Sequence, residues 1–528
     1  MMVQAASLGR IDEQAPVNQL PPKRGEPLAA GVPRPRRVAI VGAGITGLAA
    51  AHRLRELDES AEITVLEAST RAGGVIHTLR ADGFLAETGP DNFITNPQMA
   101  TNLCTRLGLA DELIPVEAGA RTAYVVSRGK LERIPAGFAL MAPRRAAPLL
   151  ASPLLSWPGK LRVLAEPLVP PRTDDADESL GDFARRRLGR EAFERLVQPL
   201  VAGIYTADPE KLSMRAALRR FYDFERRDGS LLRGLSREAR ASGSAAKPSA
   251  AAQSSSGARY NLFVTLRGGL ETLVEKLVNR LPAGTLRLAS LVTSIDRVTD
   301  ADVMSSATST AAGPQWRLTW RATDTHLEHR ETFDDLVLAL PAPRCGELFA
   351  PMAPVLADEL RNIEYAGSAV VLAGYRREQI AHALDASGFV VPAIEGRRIL
   401  ACSFASAKYA GRAPAGHALL RVFVGGANDP SAVELPDAEL RKIVTNELGE
   451  LIGLRGEPAY WHVARWRRSM PQYHLGHCER VARIEALAAK LPRLALAGNA
   501  FGGVGIPACI ASGEAAAERL LALPNREA

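Results

Sequence analysis

A glycine-rich turn between a short apolar strand and a helix is the feature that most constrains how this chain can fold. Val38-Ala39-Ile40-Val41 predicts a buried strand, and Gly42-Ala43-Gly44-Ile45-Thr46-Gly47 follows it directly. Apolar spacing over residues 45–57 predicts a helix, and a second strand, Ile63-Thr64-Val65-Leu66, ends at Glu67. A β-α-β unit of about thirty residues is the building block of a doubly wound sheet. The sequence therefore predicts an α/β fold with a Rossmann-like domain.

The three glycines and Glu67 predict a dinucleotide site at the start of this unit. Gly42 permits a tight turn, Gly44 lets a pyrophosphate approach the backbone, and Gly47 lets the helix pack closely on the strand. The free amides and the positive dipole end of the helix suit phosphate groups. Glu67 ends the second strand twenty residues beyond Gly47, where a carboxylate can accept from ribose hydroxyls.

A second glycine-rich segment favours a flavin over a nicotinamide as the dinucleotide. Arg71-Ala72-Gly73-Gly74 follows Glu67 closely, and Glu87-Thr88-Gly89-Pro90 comes soon after. A nicotinamide has no need of this additional backbone, whereas an isoalloxazine ring lies across it. Arg71 is a candidate for contact with the pyrophosphate, and a solvent-exposed arginine is the alternative.

A third glycine-rich turn lies near the C-terminus. Leu494-Ala495-Leu496-Ala497 predicts a strand, Gly498 begins the turn, and an Ala-rich helix is predicted from about residue 507 to 523. The N-terminus of such a helix can face the pyrimidine edge of a flavin and stabilise negative charge on the reduced ring.

The size and charge of the chain exclude other classes of protein. Its 528 residues exceed one hydrophobic core, so two or three domains are expected. The net charge is +7, and the tail 1–37, with six basic and three acidic residues, accounts for +3 of it. The small positive charge on the rest of the chain does not indicate nucleic-acid binding.

Cysteine and histidine patterns predict neither a metal site nor a protein nucleophile. The five cysteines contain no CxxC pair, so they indicate no disulfide framework or zinc ribbon and suit a reducing compartment. The nine histidines form no HxH or HxxxH pair. No signal peptide and no apolar run of about 18 to 20 residues is present, so a cytoplasmic location is predicted.

Changes in composition divide the chain into segments. Residues 1–35 have no hydrophobic periodicity and are predicted to be a disordered tail, and 241–257 is a low-complexity surface loop. Prolines spaced along 137–171 predict short helices and turns. A second, largely separate sheet is predicted from strand-like runs at 286–298, 316–321, 335–340, 368–374, 388–392 and 419–425.

Together the motifs resemble the flavin amine-oxidase superfamily. The superfamily motifs are GAGITGL (42–48), LEASTRAGG (66–74), AETGPDNF (86–93), LRGGLETL (266–273) and LAGNAFGGVG (496–505). Within it, the chain resembles the oxygen-dependent protoporphyrinogen/coproporphyrinogen oxidases of haem synthesis. The motifs that carry this closer resemblance are VAGIY (201–205), GSL (229–231), GFVVP (388–392) and PQYHLGH (471–477). The similarity runs from about Arg36 to Leu523.

The glycine motifs and the resemblance give one set of candidate cofactor-binding residues and one of candidate substrate-binding residues. The residues predicted to bind FAD are Gly42, Ala43, Gly44, Ile45, Thr46, Gly47, Glu67, Ala68, Arg71, Gly74, Val75, Gly89, Pro90, Asp91, Asn92, Val292, Trp466, Gly498, Val504, Gly505 and Ile506. On the substrate side the resemblance implies Arg121 as a propionate anchor, Gly203 facing the ring, and Phe389, Val390 and Phe423 in an apolar slot. The alternatives are that Arg121 is a surface arginine and that the three apolar residues belong to the ordinary hydrophobic core.

The resemblance also implies three interleaved domains. The FAD-binding domain comprises 36–121, 258–345 and 460–523, and the mixed-sheet substrate domain comprises 122–136, 215–257 and 346–459. A helical insert at 137–214 contacts membrane in some relatives. Its basic residues Arg144, Arg145, Lys160 and Arg162 are compatible with peripheral contact at the inner face of the cell membrane, and a soluble lid is the alternative.

The expected activity is the FAD-dependent oxidation of a porphyrinogen to the porphyrin, with hydride passing from a meso carbon to flavin N5 and oxygen as acceptor. The sequence does not separate protoporphyrinogen from coproporphyrinogen and leaves a homodimer open. Two alternatives are another amine-oxidase-type enzyme, acting on amines or carotenoids, and a non-catalytic porphyrin carrier.

Overall fold

The computed structural model describes residues 35–242, 262–298 and 315–523. Nearly all of the predicted tail 1–35 and most of the predicted loop 241–257 lie outside the described residues. In the part of the chain that is described, no helix is long and apolar enough to cross a bilayer.

The strands are numbered in chain order. They are β1 (Arg37–Val41), β2 (Glu62–Leu66), β3 (Thr78–Ala81), β4 (Phe84–Glu87), β5 (Phe93–Ile94), β6 (Leu113–Pro115), β7 (Tyr124–Ser127), β8 (Lys130–Arg133), β9 (Phe138–Ala139), β10 (Ala142–Pro143), β11 (Phe263–Leu266), β12 (Leu286–Arg287), β13 (Ser290–Val298), β14 (Gln315–Ala322), β15 (Glu328–Phe333), β16 (Asp335–Leu338), β17 (Tyr365–Arg376), β18 (Gly388–Val390), β19 (Ala401–Phe404), β20 (His417–Gly425), β21 (Tyr460–Pro471) and β22 (Leu494–Leu496).

The helices are numbered in the same way. They are α1 (Ile45–Leu57), α2 (Met99–Arg106), α3 (Ala146–Ala151), α4 (Trp157–Leu164), α5 (Leu180–Leu188), α6 (Arg190–Ala192), α7 (Gln198–Tyr205), α8 (Met214–Ala217), α9 (Arg219–Asp228), α10 (Leu231–Ser242), α11 (Glu271–Asn279), α12 (Ala342–Phe349), α13 (Pro354–Arg361), α14 (Ala405–Lys408), α15 (Asp437–Ile452), α16 (His477–Ala488) and α17 (Ile506–Leu521).

A five-stranded parallel sheet has the order β12-β2-β1-β16-β22. Its central strand β1 is buried on both faces. Val38 and Ile40 pack with α1 and α17, whereas Ala39 and Val41 pack on the opposite side with β13 and β14. This burial explains why β1 is a continuous apolar run, as central parallel strands are. The observed β1, α1 and β2 match the predicted β-α-β unit to within one residue.

A mixed seven-stranded sheet has the order β21-β17-β20-β19-β18-β7-β8. One face is covered by α15, whose residues Leu440, Val444 and Leu448 recur every four positions and are fully buried. The opposite face is turned toward the helical layer and toward the loops that follow the parallel sheet.

The predicted second sheet is in fact divided among three sheets. The runs at 368–374, 388–392 and 419–425 belong to the seven-stranded sheet, as β17, β18 and β20. The run at 286–298 is split, since its first two residues are β12 of the parallel sheet and its remainder is β13. Strand β13 and the run at 316–321 form a separate antiparallel sheet, β13-β14-β15. The run at 335–340 is β16 and joins the parallel sheet. Strand propensity alone does not encode which partner each strand takes.

Helices α3 to α10 form a layer around an apolar core that includes Phe183, Phe221 and Phe224. Residues 215–242 lie in this layer, whereas the sequence prediction grouped 215–257 with the substrate sheet. At the other end, residues 460–471 form β21 of the seven-stranded sheet, although they were grouped with the FAD-binding domain. Both differences arise because long-range pairing, which local sequence does not specify, places these segments.

Candidate active site

The site begins where the strands of the parallel sheet end, because the glycine turn after β1 lies at that carboxyl edge. Gly42 has a φ of +101°, and a side chain there would meet the Ala339 carbonyl oxygen at 2.5 Å. A Cβ at Gly47 would lie 1.9 Å from the Gly42 oxygen, so α1 can approach β1 only with glycine at this position. By contrast, nothing lies within 4 Å of a Cβ built on Gly44. The space beside Gly44 is therefore open to a phosphate.

Glu67 closes the opposite side of this turn. Its Oε2 accepts from the Ala43 amide at 2.8 Å, and its Oε1 accepts from the Ser69 amide and hydroxyl at 2.9 and 2.8 Å. The neighbouring Ala68 is exposed. A carboxylate with these contacts keeps lone pairs for further donors, so it can also accept from ribose hydroxyls.

Val292 was predicted to contact the adenine side of FAD, but its side chain is more deeply buried than that role implies. Its side chain is 3% exposed and packs in the core shared with β14 and β16. Its carbonyl accepts from Arg344 Nη2 at 2.8 Å. Any contact of Val292 with an adenine would involve the edge of strand β13, whose first amide, that of Ser290, bonds to the Glu67 carbonyl at 2.7 Å.

Arg71 is neither a free surface arginine nor directed wholly at a pyrophosphate. Its guanidinium donates to the carbonyls of Ala72 and Ile76, both at 3.0 Å, and to that of Gly74 at 2.5 Å. It thus holds the second glycine-rich segment in a closed turn against the first, where the Gly73 amide donates to the Ala43 carbonyl at 2.8 Å. Val75, at the tip of this turn, is a 41% exposed apolar side chain.

The segment from Gly89 to Asn92 is held by cations from the seven-stranded sheet and α14. Asp91 lies 2.8 Å from Arg421 Nη1 and 3.0 Å from Lys408 Nζ, and Asn92 donates to Asp91 at 2.7 Å. Burial by itself would raise the pKa of Asp91, but the two cations outweigh burial and hold the pKa well below its ordinary value. The Asp91 side chain therefore fixes this segment, and only the backbone remains to face a cofactor.

Trp466 also contacts the backbone next to the Gly89 segment. Its indole Nε1 donates to the Thr88 carbonyl at 2.6 Å, and its ring packs against the same hydrophobic cluster as Phe423 of the seven-stranded sheet. The predicted role of Trp466 as a wall of the flavin site therefore fits its position next to the Gly89 segment. Sequence reasoning missed Arg421 and Lys408, although a charged residue inside the apolar run of β20 must be paired when buried and so gave a usable signal.

The C-terminal turn brings a second helix N-terminus to the same edge, since β22 lies in the parallel sheet and α17 follows it. The Gly498 amide donates to Ser512 Oγ at 3.0 Å, which anchors the turn to α17. α17 begins at Ile506 after Gly505, and neither this helix nor α1 has a side-chain N-cap or an acidic residue in its first turn. Val504 is half-buried against the helical layer. Two helix N-termini with uncapped amides are suited to an anionic dinucleotide.

One face of the seven-stranded sheet provides an apolar surface beside this edge. Strand pairing places one residue from each of six strands in a single row, which we call the apolar row: Val125, Val390, Ala401, Phe423, Val370 and Ala464. Val390, Ala401 and Phe423 in its middle are half-buried, whereas the members at both ends are buried. Gly203 of α7 is exposed and faces Val390, whose Cγ1 would lie 3.6 Å from a Cβ at Gly203. The middle of the apolar row is therefore open between α7 and the Gly89 segment.

Phe389 does not line this opening, which corrects the sequence prediction. Its side chain is 2% exposed and packs with Tyr124 and Phe404 on the opposite face, under α15. Successive residues of a strand point to opposite faces, so Phe389 and Val390 cannot both face one slot.

Arg121 lies just before β7, the strand that carries Val125. It is half-buried, and its Nε donates to the Val116 carbonyl at 3.2 Å. Among the described residues it forms no ion pair with a carboxylate, which leaves the guanidinium able to bind an anion.

In the described ranges no three His, Cys, Asp or Glu side chains are grouped as metal ligands. The glycine edge, Glu67, the two uncapped helices and the adjacent apolar row fit FAD together with an apolar substrate. Fold and site together define a dinucleotide-dependent oxidoreductase with a second, seven-stranded sheet beside the dinucleotide edge.

Comparison with known proteins identifies the family of oxidoreductases to which the chain belongs. The sequence profile of the flavin containing amine oxidoreductases matches residues 45–521, and the chain belongs to this family. It is 32% identical to a coproporphyrinogen III oxidase of Bacillus subtilis, over 91% of this chain and 97% of the relative. A mitochondrial protoporphyrinogen oxidase of Nicotiana tabacum is 28% identical, over 92% and 95% of the two chains.

A solved structure supports the same fold. The crystal structure of a proposed protoporphyrinogen oxidase from Exiguobacterium sp. 255-15 superimposes with a TM-score of 0.77 at 30% identity, covering 92% of this chain and 98% of that one. The chain is a flavin-dependent oxidoreductase, and its cofactor is FAD.

Proposed function

We propose that this enzyme oxidises a porphyrinogen, protoporphyrinogen IX or coproporphyrinogen III, to the porphyrin in haem biosynthesis, with dioxygen as the electron acceptor. The observation that carries the proposal is the half-buried middle of the apolar row beside the Gly89 segment. A large apolar macrocycle needs such a surface, and a small amine does not. The similarity to porphyrinogen oxidases over more than nine-tenths of the chain supports the same choice.

The cofactor would lie along the carboxyl edge of the parallel sheet, in a Rossmann-like domain. The α1 amides after Gly44 would receive the pyrophosphate, and Glu67 would accept from the ribose. The Gly89 segment, Trp466 and the turn from Gly498 to Ile506 would border the flavin ring. Arg71 would act indirectly, since it holds the turn at Gly74 and Val75 through its carbonyl contacts.

Bound FAD supplies the two-electron chemistry of each oxidation step, and three such steps convert a porphyrinogen to a porphyrin. The protein's own residues would bind and orient the macrocycle and exclude water. Val390, Ala401 and Phe423 would carry the ring, and Gly203 would let α7 approach its other face. Arg121 would bind a propionate, because a guanidinium without a carboxylate partner can donate two parallel N–H bonds to an anion in a bidentate contact.

We also propose that the helical layer contacts an anionic bilayer. Trp157, Leu161 and Leu168 are apolar and 64%, 61% and 82% exposed on α4 and the turn that follows it. The exposed Arg233 donates to the Pro167 carbonyl beside them, and Arg144 and Arg145 are exposed on the same layer. Exposed apolar residues flanked by cations suit the surface of anionic lipid.

Two of the four basic residues predicted for this contact have other roles. Lys160 is buried and donates to the Leu150 carbonyl at 2.8 Å. Arg162 donates to the carbonyls of Arg186 and Arg187 at 2.6 and 3.0 Å. Both side chains tie helices together, so the lipid-facing charge would come from Arg144, Arg145 and Arg233.

Porphyrin fluorescence gives the direct test. Purified holoenzyme would be mixed with protoporphyrinogen IX or coproporphyrinogen III under air and under argon, and the rate of porphyrin formation measured against the uncatalysed rate. Enzyme-dependent fluorescence that requires air is expected with at least one substrate. Amine turnover without porphyrin formation would favour an amine oxidase, and a preparation without flavin absorbance would favour a carrier.

A further inference from the structure

The segment Pro471-Gln472-Tyr473-His474-Leu475-Gly476-His477 joins the layers that meet at the site. The Ser213 amide donates to the Tyr473 carbonyl at 2.7 Å, and the Leu475 amide donates to the Lys211 carbonyl at 2.9 Å. Gln472 Nε2 lies 3.4 Å from the carbonyl oxygen of Tyr205, which ends helix α7. The side chains of Gln472, Tyr473 and His477 are all at least 96% buried. These three side chains are therefore fixed within the protein.

Tyr473 binds the C-terminal glycine-rich turn through its hydroxyl group. The hydroxyl donates to the Asn499 carbonyl. Asn499 lies at the start of the turn that leads from β22 toward α17. One buried side chain thus fixes the direction of the Asn499 carbonyl.

His477 supports the ring of Tyr473. The two rings are stacked with centroids 4.1 Å apart and planes 15° apart. Burial lowers the pKa of His477 to about 4, so the imidazole is neutral at physiological pH. The stacked imidazole therefore helps to hold the Tyr473 hydroxyl in place against the turn.

The Asn499 carbonyl is therefore bound from one side. In a planar trans peptide the N–H points opposite to the C=O. The amide of Ala500 is consequently directed away from Tyr473. Together with the uncapped amides at the start of α17, it forms a group of donors on the other side of the turn.

We propose that Tyr473 and His477 are positioning residues that orient this turn so that its amides stabilise the reduced flavin, which raises the reduction potential of the bound cofactor. The inference rests on the proposed placement of the flavin beside residues 498–506. It assigns a role to a motif that is not among the residues proposed to contact FAD or the substrate. Hydrogen bonds to the pyrimidine edge of a flavin matter most when that edge carries negative charge, so their loss affects the reduced form more than the oxidised form.

The test is the midpoint potential of the bound flavin, measured by dye equilibration of holoenzyme without any porphyrinogen. Tyr473→Phe keeps the stacked ring and removes the hydroxyl, and His477→Ala removes the ring that stacks on Tyr473. Each is expected to shift the equilibrium about tenfold toward oxidised flavin, a negative shift of about 30 mV for a two-electron couple. Tyr375→Phe is the matched control, because the Tyr375 hydroxyl is buried on the far face of the seven-stranded sheet and has no hydrogen-bond partner among the described residues.

An unchanged potential in both variants, with FAD still bound, would overturn the proposal even if their melting temperatures fell. An equal shift in Tyr375→Phe would also overturn it, because the effect would then be a general response to a lost buried hydroxyl. A lower kcat with an unchanged KM in Tyr473→Phe would support it. The potential is measured without substrate, so its outcome is independent of whether the parent enzyme oxidises a porphyrinogen, which the fluorescence test decides.

Discussion

Arg421 Nη1 lies 2.8 Å from Asp91 Oδ2, and this ion pair links the sheet beneath the proposed substrate slot to the segment beside the proposed flavin site. Arg421 is 2% exposed and is two residues from Phe423 of the apolar row. Its guanidinium also donates to the carbonyls of Glu87, at 2.9 Å, and Gly89. One side chain thus fixes the spacing between the two surfaces that must hold a macrocycle against a flavin.

Asp91→Asn is expected to destabilise the protein because it leaves Lys408 and Arg421 buried without their counter-charge. Removing one member of a buried ion pair costs about 3–5 kcal/mol. Urea unfolding of the holoenzyme measures the loss. Glu434→Gln is the control, since Glu434 and its partner Arg467 are more than half exposed and no measurable change is expected. A loss for Asp91→Asn no larger than that control would contradict the assigned role.

Glu67→Ala is expected to weaken FAD binding by about 1–3 kcal/mol, since the change removes a charged acceptor for the ribose. It also frees the Ala43 amide, which donates to Glu67 Oε2 at 2.8 Å. Titration of apoenzyme with FAD measures the effect. Glu62→Ala, on the exposed side of the same strand, should bind FAD as the parent does. If Glu67→Ala retains flavin through gel filtration as well as Glu62→Ala, then Glu67 is misassigned.

The parts of the fold that could be predicted from sequence are those set by local backbone requirements. Gly42 and Gly47 are needed where a side chain would strike backbone atoms within one β-α turn, so spacing alone located them. Helix α1 and strands β1 and β2 followed from hydrophobic period. Long-range pairing was not predictable in this way, which is why β16 and β21 lie in sheets other than those expected.

The side chains of the candidate site also divide into those that local sequence could locate and those that depend on long-range contacts. Glu67 was located because its contact is within its own β-α-β unit. Arg421 and Lys408 were missed because their partner, Asp91, is more than 300 residues away in the chain. Phe389 was predicted to line the slot because a family resemblance indicates where a residue lies along a strand but not which face of the sheet its side chain occupies. Side chains alternate along the strand, and this alternation places the Phe389 ring on the face covered by α15.

Acid should destabilise this protein partly through His477. Burial lowers its pKa to about 4 from the ordinary value of 6.5, so the unfolded chain binds a proton that the folded chain does not. Stability is therefore unaffected above about pH 6.5 and falls as the pH drops from there toward 4. One such group contributes about 2 kcal/mol of loss between pH 6.5 and 5.

Urea unfolding at pH 7 and pH 5 measures this loss, and His477→Phe should reduce the difference between the two pH values. The pKa of Asp91 is below its ordinary value, so Asp91 adds pH dependence only at still lower pH. An equal acid sensitivity of parent and His477→Phe would remove His477 as a contributor.

The proposed lipid contact predicts salt-sensitive sedimentation with anionic vesicles. The parent should sediment with phosphatidylglycerol vesicles at low salt and be partly released at high salt, because screening weakens its cationic contribution. Trp157→Ser and Leu161→Ser should each weaken binding by about 10- to 100-fold, since burying such a side chain is worth about 1.5–3 kcal/mol. Leu327→Ser is the control, because Leu327 is equally exposed at 61% but lies in the β14–β15 connection. A parent that stays in the supernatant at low salt would favour a soluble lid.

The prediction most closely tied to substrate identity concerns Arg121. A propionate held by its guanidinium is a charge-assisted contact, and only a planar guanidinium can make it bidentate. Arg121→Ala should therefore raise the KM for the porphyrinogen by the equivalent of about 1.5–3 kcal/mol, and Arg121→Lys should restore only part of the loss. The FAD content and spectrum should not change, since no described contact joins Arg121 to the glycine-rich turns.

Steady-state kinetics with protoporphyrinogen IX and coproporphyrinogen III would measure both constants, with Lys130→Ala as a control on the exposed end of the same β7–β8 hairpin. The two substrates carry different numbers of carboxylates. A larger effect of Arg121→Ala on one of them would therefore identify the substrate whose propionate this residue binds. A fall in kcat would also follow if the ring tilts away from its productive position, because hydride transfer depends on close alignment. Unchanged constants with both substrates would exclude Arg121 from the site and weaken the porphyrinogen proposal with it.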